Sequence, residues 1–422
     1  MTGRRWRVRR EAAMVGPRFP KSPIPGSLMS GATRRSALGL LLGAPLLSAC
    51  AGVQQSLSQF SNPFSSSAPP AQPAGPQQQA TTAGTGGVKV GLILPLSAAG
   101  NAGLAAQSMR NAAEMALAEF QNPNIQLLIK DDAGSPQGAN AAAQQAVNEG
   151  AEIILGPLFA ASVPAVAQVA RTRGISVIAF STDSSVAGRG VYLLSFLPES
   201  DVNRIVDYAA GTGKRSFAAL VPDNAYGNVV EAAFKQAAGR RGRVVAFEKY
   251  SGDRATPART VAQMLGSADA LMIADDGDSV VATADALTAA GANLRNIQML
   301  GTGLWDNPRI FASQSLQGGL YAAPDPSGFR AFSGRYRSRF GSEPVRTSTL
   351  AYDAVALMAA LARTQGPNRF APETLTNPSG FAGIDGLFRF RSDGTNERGL
   401  AVMKVTTGGG VAVAGSPKSF GA

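Results

Sequence analysis

The sequence contains no histidine and a single cysteine, Cys50, among its 422 residues. Catalysis by a Ser-His-Asp or Cys-His arrangement and zinc binding by histidine are therefore excluded. A single cysteine also excludes an internal disulfide framework and a metal site built from several cysteines. Charged residues are few, at 16%, whereas hydrophobic residues reach 45%, so most of the chain can form a packed core.

The net charge of +11 is concentrated at the N-terminus. Residues 1–50 contain nine Lys or Arg and one acid, whereas residues 51–422 contain 30 basic and 27 acidic residues. The basic excess therefore lies outside the part predicted to fold, and nucleic-acid binding is not predicted.

Residues 34–50 are typical of a bacterial export signal. Two arginines precede 11 uncharged residues, 37–47, which are too few to cross a hydrocarbon core that needs roughly 20. The last four residues, Leu-Ser-Ala-Cys, resemble a lipobox, in which the cysteine is lipidated and becomes the mature N-terminus. The resemblance implies lipidation at Cys50, and Ala51 after it implies the outer membrane. The paired arginines also resemble a twin-arginine signal, so the export route stays open.

Residues 51–87 predict a disordered tether between this signal and the folded part. No charged residue occurs between Arg35 and Lys89, and Ser, Gln, Pro, Ala and Gly dominate. Such a segment cannot bury enough apolar surface to order itself. As a flexible coil it would span on the order of 35 Å.

From Val88 onward, short apolar strands alternate with amphipathic helices. Ser135 and Pro136 predict a helix start, with Ser135 as N-cap and Pro136 as the first helical residue. The alternation restarts after Pro198. The pattern predicts an α/β fold with two lobes, each a mostly parallel sheet flanked by helices.

Several short segments, in this order, resemble the type I periplasmic solute-binding proteins of the Leu/Ile/Val-binding family over residues 88–410. The segments are 90–97, 130–132, 156–157, 222–227, 351–355 and 390–394. The resemblance implies two lobes with a ligand between them and three crossings, near 197–200, 320–325 and 384–388. Lobe 1 would comprise 88–198 and 323–385, and lobe 2 would comprise 199–322 and 386–422.

Ligands of open α/β sheets bind beyond the carboxyl ends of the strands, where helix N-termini suit anions such as carboxylates. The candidate ligand-binding residues in these loops are Ser97, Ala160, Ser162, Ser181, Thr182, Asp183, Tyr226, Asp276 and Trp305.

Several candidates have a structural alternative. Ser162 is also a candidate helix N-cap, Ser181 and Thr182 could close a turn, and Tyr226 could be a core or hinge residue. By resemblance, Ala160 stands where amino-acid-binding relatives have serine, and glycine stands within 301–306 where they have an acid. Asp275 or Asp276 could replace that acid or remain solvated.

Two functions follow from the resemblance. The first is a non-enzymatic, lipid-anchored periplasmic receptor that presents an amino-acid-like ligand to an ABC permease. The second is a penicillin-binding-protein activator that contacts a peptidoglycan synthase, because residues 301–306 also resemble a segment of those lipoproteins. No nucleophile–base pair and no phosphate-cradling loop is visible, so neither an enzyme nor a cofactor is predicted.

Overall fold

Parallel strands connected by helices form a first sheet. The computed structural model describes residues 81–420. The elements are β1 (Thr82–Ala83), β2 (Val88–Leu94), α1 (Asn101–Glu119), β3 (Ile125–Asp131), α2 (Pro136–Asn148), β4 (Ile153–Leu155), α3 (Val163–Arg171), β5 (Ser176–Ala179) and β6 (Val191–Leu193). The strand order is β1-β3-β2-β4-β5-β6, and only β1 pairs antiparallel.

Local sequence explains these elements. Strands β4 and β5 are buried at every residue, as expected where helices cover both faces of a parallel sheet. Helix α2 begins as predicted: Pro136 is its first residue, and the Gly138 N–H donates to Ser135 Oγ at 3.1 Å. Strands β1 and β6 are too short to give a periodic signal, and the sequence does not predict them.

A second alternating series follows. Its elements are α4 (Pro198–Gly211), β7 (Ser216–Pro222), α5 (Ala225–Arg241), β8 (Arg243–Tyr250), α6 (Ala255–Met264), β9 (Ala270–Ile273), α7 (Gly277–Ala289), β10 (Gln298–Gly301), α8 (Pro308–Ala312) and β11 (Leu320–Ala323). These five strands are mutually parallel.

The last part of the chain adds strands to the second sheet and a helix to the core of the first. Its elements are α9 (Pro326–Phe340), α10 (Ser348–Thr364), α11 (Pro372–Leu375), β12 (Phe381–Gly383), β13 (Gly386–Phe390), β14 (Asn396–Arg398), β15 (Ala401–Thr406) and β16 (Gly409–Ala414). Strands β15 and β16 extend the second sheet to the order β16-β15-β11-β10-β9-β7-β8, and β12 to β14 form a separate three-stranded sheet. Helix α10 packs against α1 and contributes Leu350 and Met358 to the core of the first sheet.

The fold has two lobes, each a mostly parallel sheet flanked by helices, which agrees with the predicted class. We call the first sheet with its helices lobe 1 and the second sheet with its helices lobe 2. The chain passes between them at 194–197, at 324–325 and at 399–400.

The third crossing differs from the position expected at 384–388. Phe388 and Phe390 of β13 are buried in the core of lobe 1, and the chain joins the second sheet only at Ala401. Gly394 lies against the edge of lobe 1, where its carbonyl accepts from the Leu193 N–H at 2.8 Å. A Cβ at Gly394 would lie 2.2 Å from the Val191 oxygen, so this approach requires glycine. The segment 386–398 thus belongs with lobe 1.

Candidate functional site

The loops at the carboxyl ends of the strands hold most of the predicted site residues. Parallel strands place these ends on one edge of each sheet, and ligands of open α/β sheets bind at that edge. In lobe 2, the loop after β10, residues 302–307, meets the first turn of α4 and the first turn of α5. Together they form a wall of hydroxyl, carboxyl and backbone N–H groups.

Asp201 is the acid of this wall. It lies in the first turn of α4, is half-buried, and its Oδ2 accepts from the Gly303 N–H at 2.8 Å. Burial raises the pKa of Asp201 to about 7, against the opposing effects of the Gly303 N–H and of Arg398. No hydrogen bond from a residue within 81–420 reaches its Oδ1, so this oxygen is available to a ligand.

By resemblance, amino-acid-binding relatives have an acid within 301–306, at a place where this chain has glycine. In the structure, Asp201 supplies a carboxylate beside Gly303 from a different element. An acidic residue in a first helical turn ordinarily signals only compensation of the helix dipole. The sequence therefore gives no sign that Asp201 reaches the loop after β10, and the prediction omitted it.

Tyr226 lies next to this acid, in the first turn of α5. Asn224 caps the helix by accepting from the Gly227 N–H at 2.9 Å. The Tyr226 hydroxyl and the Thr302 hydroxyl are hydrogen-bonded at 2.8 Å. Burial raises the pKa of Tyr226, and the hydrogen bond to Thr302 opposes this. The half-buried ring therefore stays neutral and can contact a ligand.

Trp305 does not face a ligand, contrary to the expectation from sequence. Its side chain has no exposed surface, and its Nε1–H donates to the Ile273 carbonyl at 2.9 Å. A Cβ at Gly301 would lie 2.1 Å from the indole, so glycine is required there. Trp305 thus supports the lobe 2 wall from inside the core, and glycine at 301 makes room for it.

The two aspartates after β9 have structural roles. Asp276 caps α7, because its Oδ1 accepts from the Ser279 N–H at 2.9 Å. Asp275 accepts from the Tyr250 hydroxyl at 2.7 Å. The candidate Asp276 is exposed and could still approach a ligand, but its carboxylate is already oriented toward the helix.

In lobe 1, two of the candidates close a local turn. Asp183 Oδ1 accepts from Ser185 N–H at 2.9 Å, and Ser181 Oγ accepts from Asp183 N–H at 3.0 Å. Thr182 is exposed between them. The turn therefore presents the Thr182 side chain to solvent while its neighbours hold the backbone.

The other lobe 1 candidates lie in two loops. Ser97 is exposed, and its N–H donates to Asp131 Oδ1 at 3.2 Å. Burial acts to raise the pKa of Asp131, but hydrogen bonds from Ser97 and Ala133 hold it below its ordinary value. Ala160 is half-buried in the loop after β4 and offers only a methyl group.

Ser162 combines the position of a helix cap with an unpaired hydroxyl. It is the N-cap residue of α3, yet its side chain accepts no capping hydrogen bond. The residue has no exposed surface, and its Oγ has no hydrogen-bond partner among the described residues. The hydrogen bonding therefore does not show the predicted cap, and a ligand contact by Ser162 stays a prediction.

A buried cluster of charges, which the sequence did not predict, lies where the chain crosses between the lobes. Arg398 is 5% exposed, and its Nε–H donates to the Ser195 carbonyl at 2.9 Å. Its guanidinium lies 4.6 Å from the Phe196 ring centroid. Arg346 lies over the same ring, also at 4.6 Å. Phe196 of the first crossing is thus held between two arginines.

Acidic residues complete this cluster. Asp385 binds Arg346 through two oxygens, at 2.6 and 2.9 Å. Asp353 Oδ1 accepts from the Ile384 N–H at 2.8 Å, and burial raises the pKa of Asp353 to about 7. The cluster ties the first and third crossings to lobe 1.

Three further properties concern metal binding, membrane spanning and the lipid anchor. Within residues 81–420, no group of three His, Cys, Asp or Glu residues is arranged as a metal site would require. No described helix combines the length and apolar character needed to span a membrane. The predicted lipidation site, Cys50, and residues 51–80 of the predicted tether lie outside the described residues. The prediction of disorder is wrong for the end of that tether, because Thr82–Ala83 form β1 and pair with β3.

The chain belongs to the periplasmic binding protein family, whose model matches residues 87–410. The chain is of the type I, Leu/Ile/Val-binding kind. A search against curated protein sequences found no match to the chain.

Solved structures share the fold at low identity. Leucine binding protein LivK from Thermotoga maritima is 19% identical, with a TM-score of 0.54 over 78% of this chain and 98% of that one. An ABC transporter substrate-binding protein from Desulfitobacterium hafniense, in complex with Leu, is 18% identical, with a TM-score of 0.58 over 77% and 99%. Full-length LpoA from Haemophilus influenzae is 17% identical, with a TM-score of 0.61 over 77% of this chain and 58% of that one.

Proposed function

We propose that the protein is a non-enzymatic receptor that captures a small solute between its two lobes and presents it to an ABC permease. The main support is the lobe 2 wall, where Asp201, Tyr226 and Thr302 converge beside Gly303. Asp201 keeps one carboxylate oxygen free, and Tyr226 offers an aromatic face. Convergent polar groups at the carboxyl edge of a sheet are typical of a binding site.

Binding would act through closure of the lobes. The closed arrangement gains population only through contacts that the solute makes in that arrangement. Thr182 and Ser97 of lobe 1 are exposed and would supply the second set of contacts. The arginines around Phe196 would fix the crossings on which the lobes turn.

Capture of a solute is testable on the purified protein. Amino acids, amides and small peptides should include at least one compound that raises the thermal midpoint. A ligand at 100 times its dissociation constant adds about 2.7 kcal/mol to the free energy of unfolding. Native mass spectrometry of protein purified without denaturation should show a bound solute. The absence of both signals would contradict a solute receptor.

The second part of the proposal is the anchor at Cys50. A lipidated N-terminal cysteine would hold the receptor at the periplasmic face of the outer membrane, with residues 51–80 as the tether, because Thr82–Ala83 already belong to the first sheet. Each buried CH₂ adds about 0.8 kcal/mol, so several acyl chains hold a protein durably. The mature protein should begin at a modified Cys50, and C50S should leave the membrane fraction. An unmodified thiol on native protein would contradict the anchor.

A penicillin-binding-protein activator is the second candidate function. Residues 301–306 resemble a segment of those lipoproteins, and LpoA shares the fold. Leu304 in this segment is 46% exposed at the edge of the lobe 2 wall, where a protein partner could cover it. A purified peptidoglycan synthase should then be retained by the protein, and L304E should abolish retention. Failure of the native protein to retain or stimulate the synthase would contradict this function.

A further inference from the structure

The loops at the carboxyl ends of the strands differ in charge from the connections at the amino ends. The loops that lead from a strand to the next helix in the two main sheets are 95–100, 132–135, 156–159, 180–183, 194–197, 223–224, 251–254, 274–276, 302–307 and 324–325. We call them the cleft-end loops. They contain eight aspartates and a single basic residue, Arg254. Five of these aspartates lie in the loops of lobe 2 and two in those of lobe 1, so the carboxyl edge is acidic chiefly in lobe 2.

The connections at the amino ends of the same strands carry a net positive charge. The connections that lead into strands β3 to β11 contain Arg173, Arg189, Lys214, Arg215 and Arg295, against Glu149, Glu152 and Asp269. Residues 51–422 as a whole have 30 basic and 27 acidic residues. The acidity of the cleft-end loops is thus a local property and does not follow from the composition.

Helix capping explains only part of this acidity. Asp183 caps a short 3-10 turn, Ser184–Val186, and Asp276 and Asp325 cap α7 and α9. Neutral residues perform the same task elsewhere, since Asn224 caps α5 and Asn307 caps α8. Aspartate is therefore not required for capping, and the charges remain to be explained by what the loops face.

Unsatisfied carboxylate oxygens lie beside these loops. Asp132 has no exposed surface, and its Oδ2 has no hydrogen-bond partner within residues 81–420. Glu199 Oε2, in the first turn of α4, is likewise buried without a described partner. Asp201 uses only Oδ2, toward Gly303. Three carboxylates on the two sides thus have an oxygen to spare.

The neighbouring cations neutralise these carboxylates only in part. Arg254 lies over the Tyr250 ring at 5.0 Å and donates to Ser279 Oγ. Arg398 acts to lower the pKa of Asp201, but this buried guanidinium lies over the Phe196 ring at 4.6 Å and is shared with Asp385 and Asp353. The aspartate caps also occupy helix N-termini that would otherwise favour an anionic ligand.

We infer that the solute held between the lobes is an organic cation, a primary amine or ammonium compound without a free carboxylate, with its nitrogen at Asp201 and beside the Tyr226 ring. This inference rests on the proposed receptor function and names the class of its ligand. A cleft lined by one sign of charge concentrates ligands of the opposite sign. Tyr226 adds a cation–π contact that a carboxylate would not make.

Compounds of one shape and different charge test the inference on the full-length protein. The first set is leucinamide, leucine and N-acetylleucine, which carry a net charge of +1, 0 and −1. Benzylamine with benzoate, and putrescine with succinate, form two further sets. Thermal midpoints and calorimetric titration should show binding by the cation of at least one set and weaker or no binding by its partners. Raising the salt concentration should weaken that binding.

A variant pair locates the contact. D201N should weaken binding of the cation roughly 10- to 100-fold, the usual effect of losing a charge-assisted hydrogen bond. D207N, on the same helix but paired with Arg241 at the surface, should leave the affinity unchanged. Tighter binding of the anion or zwitterion, or equal loss in both variants, would overturn the cation assignment alone. No binding by any compound of the three sets would also overturn the cation assignment, and the proposed receptor fails with it only if native mass spectrometry shows no bound solute.

Discussion

The two walls of the proposed cleft are constructed differently. In lobe 2, polar groups bridge separate elements, since Asp201 accepts from Gly303 and Tyr226 is bonded to Thr302. In lobe 1, the Asp183 carboxylate bonds within its own turn. Tertiary contacts therefore hold the lobe 2 wall, whereas local turns hold much of the lobe 1 wall. Substitutions in lobe 2 should cost more stability than substitutions in lobe 1.

The largest loss should follow replacement of the indole behind the lobe 2 wall. W305A removes a side chain with no exposed surface together with its bond to the Ile273 carbonyl. We expect a loss of about 3–5 kcal/mol in the free energy of unfolding, measured by urea denaturation. L304A is the matched control, because Leu304 is 46% exposed and its loss should be small. Equal losses in the two variants would show that the indole does not support the wall.

The buried acid of lobe 2 should make stability depend on pH. The pKa of Asp201 rises from 3.8 to about 7 on folding, so between these values the folded protein holds a proton that the unfolded chain has lost. The free energy of unfolding should therefore fall as pH rises from about 4 to about 7, by at most about 1.4 kcal/mol per pH unit for one group. Asp353 contributes in the same direction. D201N should flatten the profile of unfolding midpoints.

The control for this profile is D207N on the same helix. Carboxyl groups with a lowered pKa, such as Asp269, lose their stabilising contribution only as pH falls below about 4, outside this window. If the stability of D201N depended on pH as steeply as that of the native protein, this would contradict the conclusion that burial raises the pKa of Asp201.

The hydroxyl pair of lobe 2 should have an intermediate effect. Y226F removes the 2.8 Å hydrogen bond between the Tyr226 and Thr302 hydroxyls. Thr302 is only 1% exposed. We expect a loss of about 0.5–1.5 kcal/mol. A double-mutant cycle with T302V isolates the pair, and a coupling energy near zero would show that the bond does not hold the two loops together.

The sequence predicts the alternation of strands and helices because periodicity and capping are local properties. Ser135 at the start of α2 is an example. It does not predict the third crossing, since the apolar alternation of Phe388 and Phe390 would suit either sheet. It also does not predict that Asp201 reaches Gly303, 102 residues away in the chain. The sequence predicts a ligand contact for Trp305 and misses its burial, because that burial depends on the glycine at 301, which the local pattern does not reveal.

The smallest change in the free energy of unfolding, and one that would stabilise the protein, is expected in lobe 1. Ser162 and Ser135 both stand at helix starts, but only Ser135 receives a hydrogen bond, from the Gly138 N–H at 3.1 Å. S135A should cost about 1 kcal/mol. S162A removes a buried hydroxyl that has no partner among the described residues, so stability should stay unchanged or rise by up to about 1 kcal/mol. A loss in S162A as large as that in S135A would show that Ser162 acts as a cap after all. Unchanged stability with weaker solute binding would instead assign its hydroxyl to the ligand and make the lobe 1 wall a direct contributor to recognition.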